Sequence, residues 1–164
     1  MQRRNVLALA PLPILVACGF QLRQAPNFVF QTIHIAIGES SPLGNELKRS
    51  IASNGNVRLV EAAQITQAQV ILDVIQELRQ KVVVGLNASG QVREFQLRSR
   101  FTFKLRTQTG KELIPPTEIL QQRDISFNES AVLSKETEEA LLYRDMQSDI
   151  VQQLMRRLAA VKEL

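Results

Sequence analysis

One segment of this 164-residue chain alternates almost strictly between apolar and polar side chains, from Phe95 to Arg106. Successive side chains of a β-strand point to opposite faces of a sheet, so this pattern predicts a strand with one buried and one polar face. The apolar side carries Phe95, Leu97, Phe101, Phe103 and Leu105. The polar side carries Glu94, Gln96, Arg98, Arg100, Thr102, Lys104 and Arg106. A strand of this kind requires neighbouring strands and a second layer over its apolar face.

Three further segments have the composition of strands. Phe28–Ile37 alternates with isoleucines on one side, Gln69–Val84 is rich in Val, Ile and Leu, and a final strand is predicted at Glu118–Phe127. Val57–Val60 is predicted to be either a brief strand or the approach to the next element. Pro115-Pro116 carries turn chemistry and is predicted to close the loop before the final strand. These segments predict a sheet of four strands.

Two segments have helical periodicity. Ser41-Pro42 is typical of a helix start, a capping side chain followed by proline, and Asn54-Gly55 indicates where this helix ends. A longer helix is predicted at Lys135–Lys162, with an apolar stripe that must cover the sheet. The stripes are Leu43, Leu47 and Ile51 in the first helix and Leu142, Met146, Ile150, Leu154 and Leu158 in the second. The order β-α-β-β-β-α therefore predicts an α+β fold, with two helices packed on one face of a mixed four-stranded sheet.

The N-terminus has the organisation of a bacterial lipoprotein signal. Arg3 and Arg4 precede an almost wholly apolar run, Val6–Ala17, which is too short to cross a bilayer and is typical of a signal peptide. Leu15-Val16-Ala17-Cys18 resembles a lipobox, in which the cysteine becomes the lipid-bearing first residue. The alternative is an ordinary secretory signal that precedes a buried cysteine. The paired arginines also allow twin-arginine export, although a plain basic start accounts for them.

This interpretation divides the chain into three parts. Residues 1–17 are predicted to be a lipoprotein signal peptide, residues 18–27 a lipidated lead, and residues 28–164 a single α+β domain. Gly19 follows the predicted lipid site, where inner-membrane lipoproteins typically carry Asp. We therefore expect the protein on the periplasmic side of the cell outer membrane, attached through the lipid on Cys18.

Composition excludes several classes of function. Removal of Arg3 and Arg4 with the signal lowers the net charge from +4 to +2, too little to predict a nucleic-acid partner. Cys18 is the single cysteine and His34 the single histidine, so no metal site with familiar spacing is predicted. His34 lies within a predicted strand and is interpreted as structural or surface-exposed. Neither a phosphate-binding glycine loop nor a catalytic set is recognisable, so neither an enzyme nor a bound cofactor is predicted beyond the covalent lipid.

A row of basic side chains is the remaining candidate site. Arg98, Arg100, Lys104 and Arg106 share the polar side of one strand and are predicted ligands for phosphate groups, because arginine's planar fork suits them. The structural alternative is that these cations pair with acids on neighbouring strands. The candidate acids are Asp73, Glu77 and Asp124. The sequence alone leaves both interpretations open.

The order and spacing of these features resemble the lipopolysaccharide (LPS) assembly lipoprotein family, LptE, over essentially the whole mature chain. The first matching residues are Cys18-Gly19-Phe20-Gln21-Leu22-Arg23 and Glu94-Phe95-Gln96-Leu97. The others are Gly110-Lys111-Glu112-Leu113-Ile114-Pro115, Gln122-Arg123-Asp124-Ile125-Ser126-Phe127, Glu138-Glu139-Ala140-Leu141-Leu142, Met146, Asp149, Ile150 and Arg157-Leu158.

The resemblance implies a non-enzymatic partner of the outer-membrane β-barrel that inserts LPS at the cell surface. Members of the family are expected to sit as a plug in the barrel, to help it assemble and to bind LPS. Only Cys18 corresponds to a defined role in the family. The assignment of the basic row to lipid A phosphates comes from charge geometry instead.

Three other functions are alternatives to this interpretation. An accessory lipoprotein of another outer-membrane machine, such as barrel insertion, has the same anchor and fold class. An envelope hydrolase is disfavoured because no acid, base and nucleophile set is recognisable. A periplasmic binding domain, lipid-anchored or free, is the third alternative.

Overall fold

The computed structural model describes residues 26–128 and 132–164. The predicted signal peptide, Cys18 and nearly all of the predicted lead lie outside these ranges. The elements in chain order are β1 (Thr32–Ala36), α1 (Pro42–Ala52), β2 (Arg58–Leu59), a 3₁₀ helix (Ala62–Gln67), β3 (Val70–Leu86), β4 (Val92–Thr107), β5 (Glu112–Ser126) and α2 (Val132–Ala159). In this part of the chain no helix combines the length and the apolar character needed to cross a bilayer.

The strands form one mixed sheet in the order β2-β1-β3-β4-β5. β1 is parallel to both of its neighbours, whereas β3, β4 and β5 form an antiparallel meander. The α+β prediction is confirmed, with five strands in place of four. The additional strand is β2, whose Arg58 and Leu59 pair with Thr32 and Ile33. β2 lies within Val57–Val60, where a brief strand is one of the two predicted alternatives, and the pairing with β1 decides between them.

β5 is longer than predicted, and the placement of Pro115-Pro116 in a loop is wrong. Both prolines lie within β5, which is the edge strand of the sheet. Phe103 is opposite Thr117 and Leu105 is opposite Ile114, so the prolines occupy an irregularity in the register. Edge strands and bulges tolerate proline because the missing N–H interrupts no pairing there.

Both helices follow from their sequence signals. The Ser41 Oγ accepts a hydrogen bond from the Gly44 N–H at 2.9 Å, and Pro42 occupies the first turn of α1. A capping oxygen satisfies one of the amide groups that a helix start leaves unpaired. α2 begins and ends slightly earlier than the predicted Lys135–Lys162.

The main core lies between the two helices and one face of the sheet. α2 contacts β4, β5 and α1. Phe101 and Phe103 of β4 are fully buried there, with ring centroids 5.9 Å apart. The principal core residues are Phe30, Ile33, Ile35, Leu43, Leu47, Ile51, Val70, Leu72, Phe101, Phe103, Leu105, Ile119, Ile150, Val151, Leu154 and Leu158.

Among the described residues, cover over the other face of the sheet is found at one side only. Val60, Ala68 and Ile71 form a small separate cluster there, with Ile65 of the 3₁₀ helix packed against it. His34 lies on this side, is buried, and its Nδ1 is 2.8 Å from the Val60 carbonyl oxygen. The rest of the surface, formed by β3, β4 and β5 on the side away from the helices, is called the open face below.

Candidate functional site: the open face of the sheet

The open face brings the four predicted basic residues together. In β4, side chains buried in the helix-side layer alternate with half-buried side chains that point the other way. The second set includes Arg98, Arg100, Lys104 and Arg106. The pleat of one strand therefore separates the phenylalanine side from the basic side, as predicted. The role of these four basic residues as LPS ligands remains a prediction.

Asp73 of β3 neutralises one end of the basic row. The Arg106 Nε donates to Asp73 Oδ2 at 2.7 Å, and its Nη2 is 3.5 Å from Oδ1. The Lys104 Nζ is 3.8 Å from the same Oδ2. We call Asp73, Lys104 and Arg106 the Asp73 cluster. The structural interpretation of the basic row holds for this end, because both cations face a carboxylate across the β3–β4 ladder.

Arg100 is the next basic residue along β4. Its Nη1 is 3.2 Å from Glu118 Oε2 of β5. Its Nε is buried and has no hydrogen-bond partner among the described residues. Glu118 was not predicted as a partner, because only the β4–β5 register places it diagonally across from Arg100. A buried N–H without an acceptor is unfavourable, so this guanidinium has unused donor capacity.

Glu77 and Asp124 do not pair with the basic row. A register irregularity between Val74 and Gln76 shifts the alternation of β3, so Glu77 lies opposite Phe101 on the helix side. There it accepts a hydrogen bond from Ser41 Oγ at 2.6 Å. Asp124 is on the open face but accepts from the Gln96 amide at 2.9 Å. Strict alternation along β3 predicts that Glu77 shares the open face with Asp73. This prediction is wrong because the bulge reverses the alternation.

Arg98 has polar neighbours without charge. Its Nε donates to Gln96 Oε1 at 2.8 Å, and its register partners are Gln80 and Gln122. Within the described part of the chain, no carboxylate forms an ion pair with Arg98. Arg98 is therefore the basic residue of the row whose charge is least compensated.

Leucines flank Arg100 on both sides. Leu78 of β3 and Leu120 of β5 are its direct register partners and are 36% and 38% exposed. Directly paired residues of neighbouring strands project from the same face of a sheet. We call Leu78, Arg98, Arg100 and Leu120 the leucine–arginine band. It combines aliphatic surface with cationic donors.

Basic residues on the helix side have structural partners. The Arg79 Nη2 donates to Gln147 at 2.7 Å, and the Arg123 Nη2 donates to Asp149 at 2.6 Å. These contacts fasten α2 to the sheet. The Tyr143 hydroxyl donates to the Gln80 carbonyl at 2.8 Å. Burial raises the pKa of the Tyr143 hydroxyl above its usual value.

Clefts also lie away from the open face. One of about 570 Å³ is bordered by His34, Glu39, Lys48 and Glu61. Another, of about 530 Å³, lies beside Pro26 and α2, and a third, of about 560 Å³, is bordered by Arg79, Lys81 and Tyr143. In residues 26–128 and 132–164, no group of three or more His, Cys, Asp or Glu side chains is arranged to hold a metal ion. The open face combines the charged donors of Arg98 and Arg100 with the exposed aliphatic surface of Leu78 and Leu120.

Solved structures with this fold include bacterial lipoproteins. The solution structure of uncharacterized lipoprotein B from Nitrosomonas europaea superposes with a TM-score of 0.74 at 33% identity, covering 87% of this chain and 91% of that one. Rare lipoprotein B from Shewanella oneidensis shares the fold at 21% identity and a TM-score of 0.67, covering 79% of this chain and 95% of that one. The class that the fold defines is a two-layer α+β domain of the kind found in bacterial lipoproteins.

Sequence comparison narrows this class to a family. The model of the lipopolysaccharide-assembly family LptE matches residues 30–158. The LPS-assembly lipoprotein LptE of Pectobacterium atrosepticum is 27% identical over 159 residues, which cover 95% of this chain and 84% of the relative. The chain belongs to the LptE family, as its sequence pattern predicts.

Proposed function

We propose that this protein is a non-enzymatic, lipid-anchored outer-membrane lipoprotein that serves LPS assembly as the partner and plug of a β-barrel translocon. The supporting observation is the LptE family match over residues 30–158, which spans both layers of the domain. The arrangement of the domain agrees with a binding role, because the described residues leave open a sheet face that carries arginines and leucines.

The proposed anchor is a lipid on Cys18, which lies outside the described residues. Each buried methylene of an acyl chain contributes about 0.8 kcal/mol, and stable attachment requires more than one chain. A lipid at this position holds the domain at the membrane and raises its effective concentration beside a membrane-embedded barrel without any new protein contact. Gly19, which lacks the retention charge of Asp, supports the outer membrane as the destination.

The open face suits the interior of a barrel. Barrel lumens are polar, since outward-facing apolar residues alternate with inward-facing polar ones. A sheet surface with Arg98, Gln96 and Gln122 can face such a wall without the loss of hydrogen bonds that an apolar lumen imposes. The same polar surface binds LPS in this proposal, with arginine forks competing for the phosphates that divalent cations bridge.

Copurification tests the proposal most directly. Membranes that contain the tagged full-length protein are extracted in mild detergent, and the proteins retained with it are identified. The LPS-assembly barrel is expected in equal amount with the lipoprotein. Recovery of the barrel-insertion machinery in its place would support the accessory-lipoprotein alternative.

A second arm tests the anchor. The Cys18→Ala variant is expected to lose incorporation of labelled palmitate and to leave the membrane fraction. Unchanged fractionation would contradict the lipid anchor and favour a free periplasmic binding domain.

A third arm tests the ligand. Replacement of all four basic residues of the row by Gln is expected to weaken LPS binding and to reduce its dependence on salt. Unchanged affinity and salt dependence would remove LPS binding from the role of the open face and leave the plug role in place.

A further inference from the structure

We infer that the open face is divided in two: the leucine–arginine band binds a phosphorylated lipid, and the Asp73 cluster is a structural tie between β3 and β4. This inference rests on the proposed role in LPS assembly and assigns that role to particular residues. It differs from the simpler hypothesis that all four cations of the row act together.

The Asp73 cluster has little capacity for an anionic ligand. The Arg106 guanidinium already engages both oxygens of Asp73, in the forked geometry that a phosphate would otherwise use. The Lys104 ammonium faces the same carboxylate. A phosphate approaching these residues therefore meets Asp73, a fixed negative charge, and must displace it to gain the fork of Arg106.

The leucine–arginine band has unused donors. The Nη groups of Arg98 form no hydrogen bond or ion pair with other described residues, since its polar contact is Nε to Gln96. The Arg100 Nη1 is 3.2 Å from Glu118 Oε2, and the Arg100 Nε lacks an acceptor among the described residues. Residues two apart on a strand lie about 7 Å from each other, so a phosphate between the two guanidinium groups reaches both. Rotation of Arg100 outward then gives its Nε an acceptor.

The flanking leucines indicate which kind of anion fits. Neighbouring strands are about 4.8 Å apart, so Leu78 and Leu120 lie one strand spacing from Arg100 on either side. Aliphatic surface at that distance favours a ligand that carries acyl chains next to its phosphate, since their contact removes apolar area from water. A free phosphate or a phosphorylated sugar contacts the arginines but has no acyl chain to contact the leucines. The ligand class is therefore a phosphorylated glycolipid or phospholipid. Within this class we infer LPS, because the proposed function is LPS assembly.

Two variants with the same change of charge separate the halves of the face. Arg98→Gln with Arg100→Gln removes two positive charges from the band, and Lys104→Gln with Arg106→Gln removes two from the Asp73 cluster. Full-length protein in detergent is titrated with LPS and, in parallel, with fully deacylated LPS. The band variant is expected to weaken LPS binding about tenfold or more, whereas the cluster variant changes it less than about threefold.

A third variant tests the apolar part. Leu78→Gln with Leu120→Gln is expected to weaken binding of LPS but not that of its deacylated form. Phospholipid vesicles with an anionic headgroup serve as a further probe, which distinguishes LPS from other phosphorylated lipids. Thermal denaturation accompanies every titration, so that affinity is compared only between folded variants.

The outcomes distinguish this inference from the function on which it rests. Equal weakening by the two charge variants would overturn the division of the face and leave LPS binding intact. Loss of barrel copurification by the band variant, with LPS affinity unchanged, would make the band a protein interface and overturn the inference. Failure of the unaltered protein to bind LPS would contradict the ligand role itself.

Discussion

Replacement of Asp73 by Asn is expected to weaken the fold and strengthen ligand binding at the same time. The substitution keeps the size of the side chain and removes the charge that Arg106 and Lys104 share. The sheet then loses its β3–β4 tie. The open face gains two uncompensated cations, which become available to an anionic lipid.

The geometry sets the magnitude of the stability change. Arg106 and Asp73 are 31% and 23% exposed, so their pair lies between a surface ion pair and a buried one. Exposed pairs contribute about 0–1 kcal/mol, and hydrogen bonds to charged groups contribute about 1.5–3 kcal/mol. We expect a loss of about 1 kcal/mol, which lowers the melting temperature by about 4 °C in a domain of this size. The gain in LPS affinity is expected to be about two- to fivefold, from a comparable electrostatic energy.

Urea and thermal denaturation of Asp73→Asn, Arg106→Gln and the double variant measure the coupling between the two residues. The double variant is expected to lose little more stability than either single one, and the loss should shrink at high salt. Asp124→Asn is the matched control, because it removes one acid from the same face but contacts Gln96. An Asp73→Asn variant as stable as the unaltered protein, with unchanged LPS affinity, would refute the assignment of Asp73 as a tie.

Two further substitutions test the fold. Phe103→Ala is expected to cost about 3–5 kcal/mol in urea denaturation, because its fully buried ring fills space between the sheet and the helices; a loss below about 1 kcal/mol would show that the core does not depend on it. Ser41→Ala is expected to cost about 1 kcal/mol, since it removes the cap of α1 and the contact to Glu77. Ser53→Ala is its control, and an equal loss in both would argue against the cap.

Local patterns predicted the elements whose residues carry their own signal. The alternation of β4 appears in the structure with the predicted faces, because a sixteen-residue strand repeats its two-residue period many times. The start of α1 at Ser41-Pro42 is equally local, since the cap and the proline act within one turn. The four basic residues of the row share one face for the same reason.

Local sequence patterns did not predict the contacts between segments that are distant in the chain. Pairing with β1 is what makes β2 a strand, and the prolines of β5 are tolerated because β5 is an edge strand with an irregular register at that point. The β3 bulge turned Glu77 toward α1, and the β4–β5 register brought Glu118 to Arg100. Each depends on pairing between strands, which a local period does not encode.

The amino-acid sequence by itself determined the faces of β4 and the prediction of a lipid on Cys18, because residue types at short spacing carry both. It also determined the α+β class and the family, because the order of such local signals along the chain carries them. Tertiary structure alone decided how the charges of the open face are compensated. Asp73 pairs with Lys104 and Arg106, whereas Arg98 faces amides, because strand register sets which side chains meet across a ladder. The two halves of the open face therefore differ in charge compensation because of the register between the strands.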